Sequence, residues 1–301
     1  MGLPNRTKRS RLYDRAAAVL MGVLARLSGL IVIVIAAGLF WKSVPILKNQ
    51  SLSALLFSSE WYPLRGQFGF LPFIMGSLWV TGTAMILAVP LCLLTAIYLA
   101  EYAPRGIREG MRPLIDLLAG IPSVVYGVWG VLVVVPWVKR AAGWFGYSTS
   151  GYCVLSAGIV LAVMIFPVII HMTVEILRAV PQEIREASLS LGATQWQTIK
   201  KVVLRKAFGG VLAAIVLGLS RAFGETIAVL MVAGNAVRSP TGFLDAAYPL
   251  PALIANNYGE MMSIPLYDSA MMLACLILLG IVLVFNVLAK LVLMRIQKEI
   301  Q

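Results

Sequence analysis

Apolar residues run almost unbroken through six stretches of the chain, roughly 27–47, 73–100, 113–138, 152–177, 209–235 and 269–292. Each is long enough for a helix that crosses a bilayer, which takes about 20 predominantly apolar residues. Lipid offers no partner to a free N–H or C=O, so these runs predict helices that close their own backbone bonds. One stretch breaks the pattern. From Glu183 to Val203, "EIREASLSLGATQWQTIKKVV", polar and charged residues return. Pro181 can open a helix there, because its missing N–H would be unpaired anyway. Glu183 and Glu186 sit near the positive end of that helix. Gly192 offers a stop that tolerates positive φ, and Thr194 with Gln197 forms the capping box of a second helix running toward the fifth span.

Composition supports membrane as the solvent. The chain is 60% hydrophobic and only 13% charged, with a mean hydropathy of +0.88. Soluble domains carry nearer ~25% charged residues. The net charge of +12 could suggest nucleic acid. The basic residues fall between apolar runs, however, and form no patch interleaved with aromatics, which excludes that partner. About 18 of the 25 Lys and Arg lie in the N-terminal segment, 101–112, 178–208 or the C-terminal end, and about 6 in the alternate loops. The positive-inside rule then predicts both termini in the cytoplasm and the loops 48–72, 139–151 and 236–268 outside. The first span follows "NRTKRSRLYDR" and lacks an A-x-A cleavage signal, so it is expected to stay as an anchor. Trp41, Trp61, Trp79, Trp137, Trp144 and Tyr147 mostly fall near span ends, where an interfacial belt accounts for them.

Two charges lie inside the fifth span, Arg221 and Glu225 of "LSRAFGETIAV". At the centre of an isolated span each costs on the order of 2.5–3.5 kcal/mol, so they should face protein or water. At i and i+4 on a continuous helix they share a face and can pair. Either Arg221 helps an oxyanion through with its planar donor fork while Glu225 holds it in place, or the two form a permanent pair locking helices together. Thr226 and Asn235, and Ser123 and Tyr126 beyond Pro122, are further candidates for such a path. Taken singly, each reads first as a packing or helix-bonding residue. His171, the one histidine, is expected to be a satisfied packing residue, and Asp116 a solvated one near a span end. Cys92, Cys153 and Cys275 sit singly in apolar runs, with no metal-ligand or disulfide spacing.

The segment "EASLSLGATQWQTIKKVVL" resembles the EAA loop of ABC-transporter permeases, E-A-A, three residues, G, nine residues, I-x-L-P. Glu186, Ala187, Gly192 and Leu204 match; Ser188 stands for the second Ala, Val202 for the Ile and Arg205 for the Pro. The segments "FGFLPFIMGSL", "LAGIPSVVYGVWG", "EILRAVPQEIREASLSLGAT", "GLSRAFGETIAVLMVAGNA" and "ALIANNYGE" resemble, in the same order, the phosphate-import permeases of the PstC type. The resemblance implies an all-α membrane protein of six spans with the type I importer (MetI-like) fold. It implies Glu186, Ala187, Ser188 and Gly192 as the ATPase-coupling residues. Arg221, Glu225, Thr226, Ser123, Tyr126 and Asn235 would line a translocation path. It also implies a PstA-like second permease, a PstB-like ATPase dimer that binds the ATP, and a PstS-like phosphate-binding protein, all at a bacterial or archaeal cell membrane. No cofactor or metal of its own is expected. The chain has no Gly-Lys pair, so it cannot hold a G-x-x-x-x-G-K-[ST] phosphate loop. The organisation expected is a basic segment 1–26, a first span with its external loop 27–72, a five-helix core 73–292 containing the loop 178–208, and a tail 293–301. A secondary transporter would call for inverted repeats and a membrane enzyme for a nucleophile–base set; neither is evident.

Overall fold

The computed structural model describes residues 8–261 and 263–300. Within the expected segments, 1–7, 262 and 301 lie outside the described residues. The chain is almost entirely helical. α1 (Lys8–Asn49) leads to α2 (Leu52–Phe57) and a hairpin of β1 (Trp61–Tyr62) and β2 (Gln67–Phe68), antiparallel with Trp61 opposite Phe68. α3 (Leu71–Ile97) ends in a π-helical turn through Tyr102, and α4 (Arg105–Gly120) follows. α5 (Ser123–Trp129) joins α6 (Val135–Trp144) through a second π turn, and α7 (Val154–Arg178) crosses back. After α8 (Gln182–Ser190), α9 (Gln195–Thr198) continues through a third π turn into α10 (Leu204–Gly224). α11 (Ile227–Val232), α12 (Leu250–Asn257) and α13 (Tyr267–Ile300) complete it.

Six helical segments are long and apolar enough to cross a membrane: Arg15–Asn49, Leu71–Tyr102, Ser123–Trp144, Val154–Arg178, Gln195–Gly224 and Tyr267–Leu291. The third differs from the window 113–138. Pro122 lacks an N–H and drives Ile121 out of helical geometry, to ψ 127°, so the helix breaks there. Residues 113–120 belong to α4, an amphipathic helix, and the span starts at Ser123. The fifth span also differs. α10 stops at Gly224 and Glu225 is extended (φ −75°, ψ 128°), so α11 is a separate short helix. No sharp turn occurs at Arg205, because the helix passes through it from Gln195 to Gly224.

α3 and α7 form the central pair. They approach closely because a Cβ on Gly158 would sit 2.5 Å from Cγ2 of Thr83; small residues at such contacts let membrane helices pack backbone to backbone. The buried core runs from Val80 and Ala84 on α3 through Val160, Leu161 and Ile165 on α7 to Val229 and Val232 on α11. A second cluster ties the end of α1 to α2, α12 and α13 through Ile46, Leu55, Phe73, Leu253 and Met271. Trp61 belongs to this cluster, 4.9 Å from the Phe73 ring and 5.5 Å from those of Phe68 and Phe70. It is a packing residue, whereas Trp41, Trp137 and Trp144 stay exposed as a belt requires. α12 was invisible in the hydropathy pattern; its first N–H, on Leu250, donates to Ser77 Oγ of α3 at 2.8 Å.

Candidate functional site

The polar loop between α7 and α10 has the geometry that its caps dictate. Pro181 is the N-cap of α8 rather than its first residue, and Gln182 begins the helix. Gly192 has φ +82°, a conformation that costs other residues roughly 1–2 kcal/mol, and no atom crowds the position of its missing Cβ. Thr194 accepts from Gln197 N, and the Gln197 side chain accepts from Thr194 N at 3.0 Å, so the capping box is formed. Glu186 and Ala187 are exposed on α8. Ser188 faces inward, its hydroxyl 2.9 Å from that of Thr198. Leu191, 88% exposed, and Trp196 project beside them, giving the loop an apolar tip.

The loop is fastened by a pair that local sequence patterns could not reveal. Arg185 Nη2 donates to Glu101 Oε1 at 2.9 Å, with side-chain exposures of 14% and 10%. The same guanidinium donates to the carbonyls of Leu177, at 2.7 Å, and Val180. Gln195 adds a bond to the Glu101 carbonyl at 3.1 Å. The root of α8 is thus clamped to the end of α3. The two charged partners lie 84 residues apart.

Arg221 lies in the last turn of α10 and is exposed toward a cavity of about 660 Å³. Ile115, Asp116 and Ala119 of α4 form one wall, Pro167, His171 and Met172 of α7 another, and Leu217 and Ser220 of α10 the floor. Asp116 and His171 therefore share the Arg221 cavity; His171 is exposed there and is no buried packing residue. As the one histidine inside a span, its type was the signal that could have placed it. Ser220 donates across to Asn286 Oδ1 of α13 at 2.9 Å.

Arg221 and Glu225 do not share a face, and among the described residues Arg221 makes no ion pair. The break after Gly224 turns Glu225 the other way, toward Ser77, Thr81, Pro249 and Pro251. Its Oε1 accepts from Ala228 N at 3.3 Å and caps the start of α11. The Arg221 charge is supported instead by the negative end of the α10 dipole.

The other candidates divide. Tyr126 is buried and donates to the Leu118 carbonyl at 2.8 Å. That carbonyl would have been bonded by residue 122 in a continuous helix, and Pro122 cannot supply the N–H. Tyr126 thus closes the α4–α5 break. Ser123 is half-buried at the start of α5. The Thr226 hydroxyl donates to Gly224 O at 3.3 Å inside the break. Asn235 stands apart, at φ 50°, bonding the Leu230 carbonyl at 2.8 Å and Ala247 at 3.0 Å where Gly234 bridges Ala247. Arg221 shares its cavity with Asp116 and His171, while Tyr126 serves the α4–α5 break and Glu225 and Asn235 belong to other neighbourhoods.

Helices broken at Pro122 and Glu225, an arginine open to a cavity at the end of a spanning helix, and a capped helical loop at one end define a membrane transport protein. The family described as "Binding-protein-dependent transport system inner membrane component" matches residues 92–298, and the chain belongs to it. It is a multi-pass transport subunit of the inner membrane, of a class that works with a substrate-binding protein and an ATPase. Among its relatives is the phosphate transport system permease protein PstC of Xylella fastidiosa, 35% identical over 88% of this chain and 85% of that protein. The PstC of Mesorhizobium japonicum is 34% identical over 94% and 88%. A probable ABC transporter permease of Bacillus subtilis, YqgH, is 38% identical over 84% and 79%. The fold is that of solved importers: a bacterial alginate ABC transporter (TM-score 0.61, 14% identity, 95% of this chain and 99% of that one) and the MetNI methionine transporter in its inward-facing form (0.57, 21%, 73% and 93%).

Proposed function

We propose that this chain is the PstC-type permease of an ATP-driven importer of inorganic phosphate, paired with a PstA-like permease, a PstB-like ATPase dimer and a PstS-like binding protein. The observation that carries the reading is Arg221, an unpaired guanidinium at the end of a membrane helix, open to a cavity. Its planar donor fork matches a tetrahedral oxyanion. Asp116, in the same cavity wall, offsets part of the positive field and keeps the anion from being trapped. The path is completed by the second permease. The names of the PstC relatives supply the cargo.

Both termini and the α8 loop face the cytoplasm, where Glu186, Ala187 and the apolar Leu191 and Trp196 enter a cleft of the ATPase. Phosphate arrives from the binding protein on the opposite face. ATP binding must favour the outward-open state by differential affinity, or it shifts nothing. The clamp of Arg185 on Glu101 transmits movement of α8 to α3.

Phosphate uptake and complex yield, measured for Arg221→Gln, Arg221→Lys and Glu225→Gln, test the reading. A hydrogen bond to a charged group is worth about 1.5–3 kcal/mol, so Arg221→Gln should lower uptake roughly 10- to 100-fold in a complex that still assembles. Lysine should restore it only in part, since a point charge lacks the fork. Adding Glu225→Gln to Arg221→Gln should rescue nothing, because the two are not partners. An assembled Arg221→Gln complex with wild-type uptake sinks the assignment.

A further inference from the structure

At the root of the coupling loop lies a second cavity, of about 540 Å³, between the end of α3, α4, α7 and α8. Its wall holds the guanidiniums of Arg108, Arg178 and Arg185 and one carboxylate, Glu101, with Gln182, Gln195 and Thr198 as neutral polar groups. Glu101 is taken by Arg185. Arg108 spends Nη2 on the Ala103 carbonyl at 3.1 Å, and its Nε is buried without a partner. The Arg178 Nε is likewise buried without a partner. Nearby Glu175 is held by Arg112 at 2.9 Å and, among the described residues, makes no salt bridge to Arg178.

Buried N–H groups are nearly always bonded, so two orphans of one kind in one cavity call for an acceptor. Nε is also the atom through which a guanidinium, together with its adjacent Nη, presents a side-on fork to two oxygens of one anion. Guanidiniums with unspent donors, an excess of positive charge and neutral polar groups around a roomy cavity fit a phosphoryl group. Basic cavities between helices at one face of a membrane protein take lipid headgroups by this chemistry.

We propose that Arg108 and Arg178, backed by Arg185, form a binding site for a phosphoryl oxyanion, and that its occupant ties α4, α7 and α8 together at the root of the coupling loop. The site is separate from the Arg221 cavity and does not depend on phosphate being the cargo. Free phosphate and the headgroup of a phosphomonoester lipid share the chemistry.

The test is hydrogen–deuterium exchange over residues 178–203 in the whole transporter complex, reconstituted in nanodiscs, with an Arg221→Gln background to silence the path. One arm uses neutral phosphatidylcholine with inorganic phosphate added, against chloride at equal ionic strength. The other uses phosphatidic acid in the disc without added phosphate. Protection of the segment in the first arm assigns free phosphate; protection in the second alone assigns the headgroup. In either case Arg108→Gln with Arg178→Gln should remove the protection or raise its half-point roughly tenfold or more, as loss of charge-assisted bonds predicts. Arg108→Lys with Arg178→Lys should keep part of it and controls for folding. No protection in either arm of the Arg221→Gln complex, read against phosphatidylcholine discs in chloride, or protection unchanged by the double glutamine substitution, overturns the proposal.

Discussion

A four-residue spacing places two side chains together only if the helix between them is intact. Arg221 and Glu225 have that spacing, and the extended backbone at Glu225 sends them into different cavities. Gly224 weakens the helix where it ends, and the Glu225 carboxylate is consumed as a cap on Ala228 N. A similar economy of one carboxylate for one turn governs Asp245. Its Oδ2 accepts from the Thr241 hydroxyl at 2.7 Å and from the N–H groups of Thr241 and Gly242 at 2.9 and 3.0 Å. These bonds, the Thr241 hydroxyl foremost, hold the carboxyl below its ordinary 3.8, with Arg238 adding to the effect. A lowered folded value means that the stabilisation is complete above 3.8 and fades as pH falls below it. The turn carries the carbonyls of Phe243 and Asp245 that accept from the first N–H groups of α7. Proteolytic nicking of the 236–249 loop should therefore rise as pH drops below 3.8. Asp245→Asn should nick more readily at neutral pH and lose that dependence. An unchanged pH profile in the variant would remove Asp245 as the titrating group.

At the scale of elements, α8 and α9 are set by caps that act over a few residues. The turn between them depends on Gly192 at φ +82°, where the surroundings are open. Substitution there tests backbone conformation alone. Asparagine tolerates the left-handed region better than alanine, and a β-branched side chain worst of all. Substrate-stimulated ATPase activity and uptake should fall in the order Gly192→Asn, Gly192→Ala, Gly192→Val, with the last losing on the order of 1–2 kcal/mol of loop stability or more. Wild-type coupling in Gly192→Val would show that the bend is dispensable. The breaks at Pro122 and Glu225 act in the opposite way, interrupting helices whose composition favours continuation. Each leaves backbone groups that newly aligned side chains help to satisfy: Tyr126 for the Leu118 carbonyl, Glu225 for the Ala228 N–H.

For the whole molecule, the six spans and the asymmetry of Lys and Arg determine which loops lie on which side. With Cys92, Cys153 and Cys275 replaced, single cysteines at the exposed Ser59 and Ser263 should react with an impermeant thiol reagent added to intact cells. One at the exposed Ser190 on α8 should react only after the membrane is opened. The reverse pattern would invert the orientation and remove α8 from the cytoplasm. The long apolar α1 meets the rest chiefly through its C-terminal end, where Ile46 enters the cluster with Leu55 and Phe73, and leaves Val19, Leu20 and Ile33 exposed.

What the chain determined by itself was local. Runs of apolar residues specified six spans, since a bilayer demands only length and hydrophobicity. Pro181, Gly192, Thr194 and Gln197 specified the loop of α8 and α9, since caps operate within one turn. The intramembrane Arg221 stood out by its type alone. Tertiary structure decided where those charges point and with what they meet. The clamp of Arg185 on Glu101 joins residues 84 apart, and Asp116, His171 and Arg221 reach one cavity from three helices. Such meetings depend on how broken helices pack, and hydropathy averaged over 20 or so residues cannot register a break confined to one ψ angle.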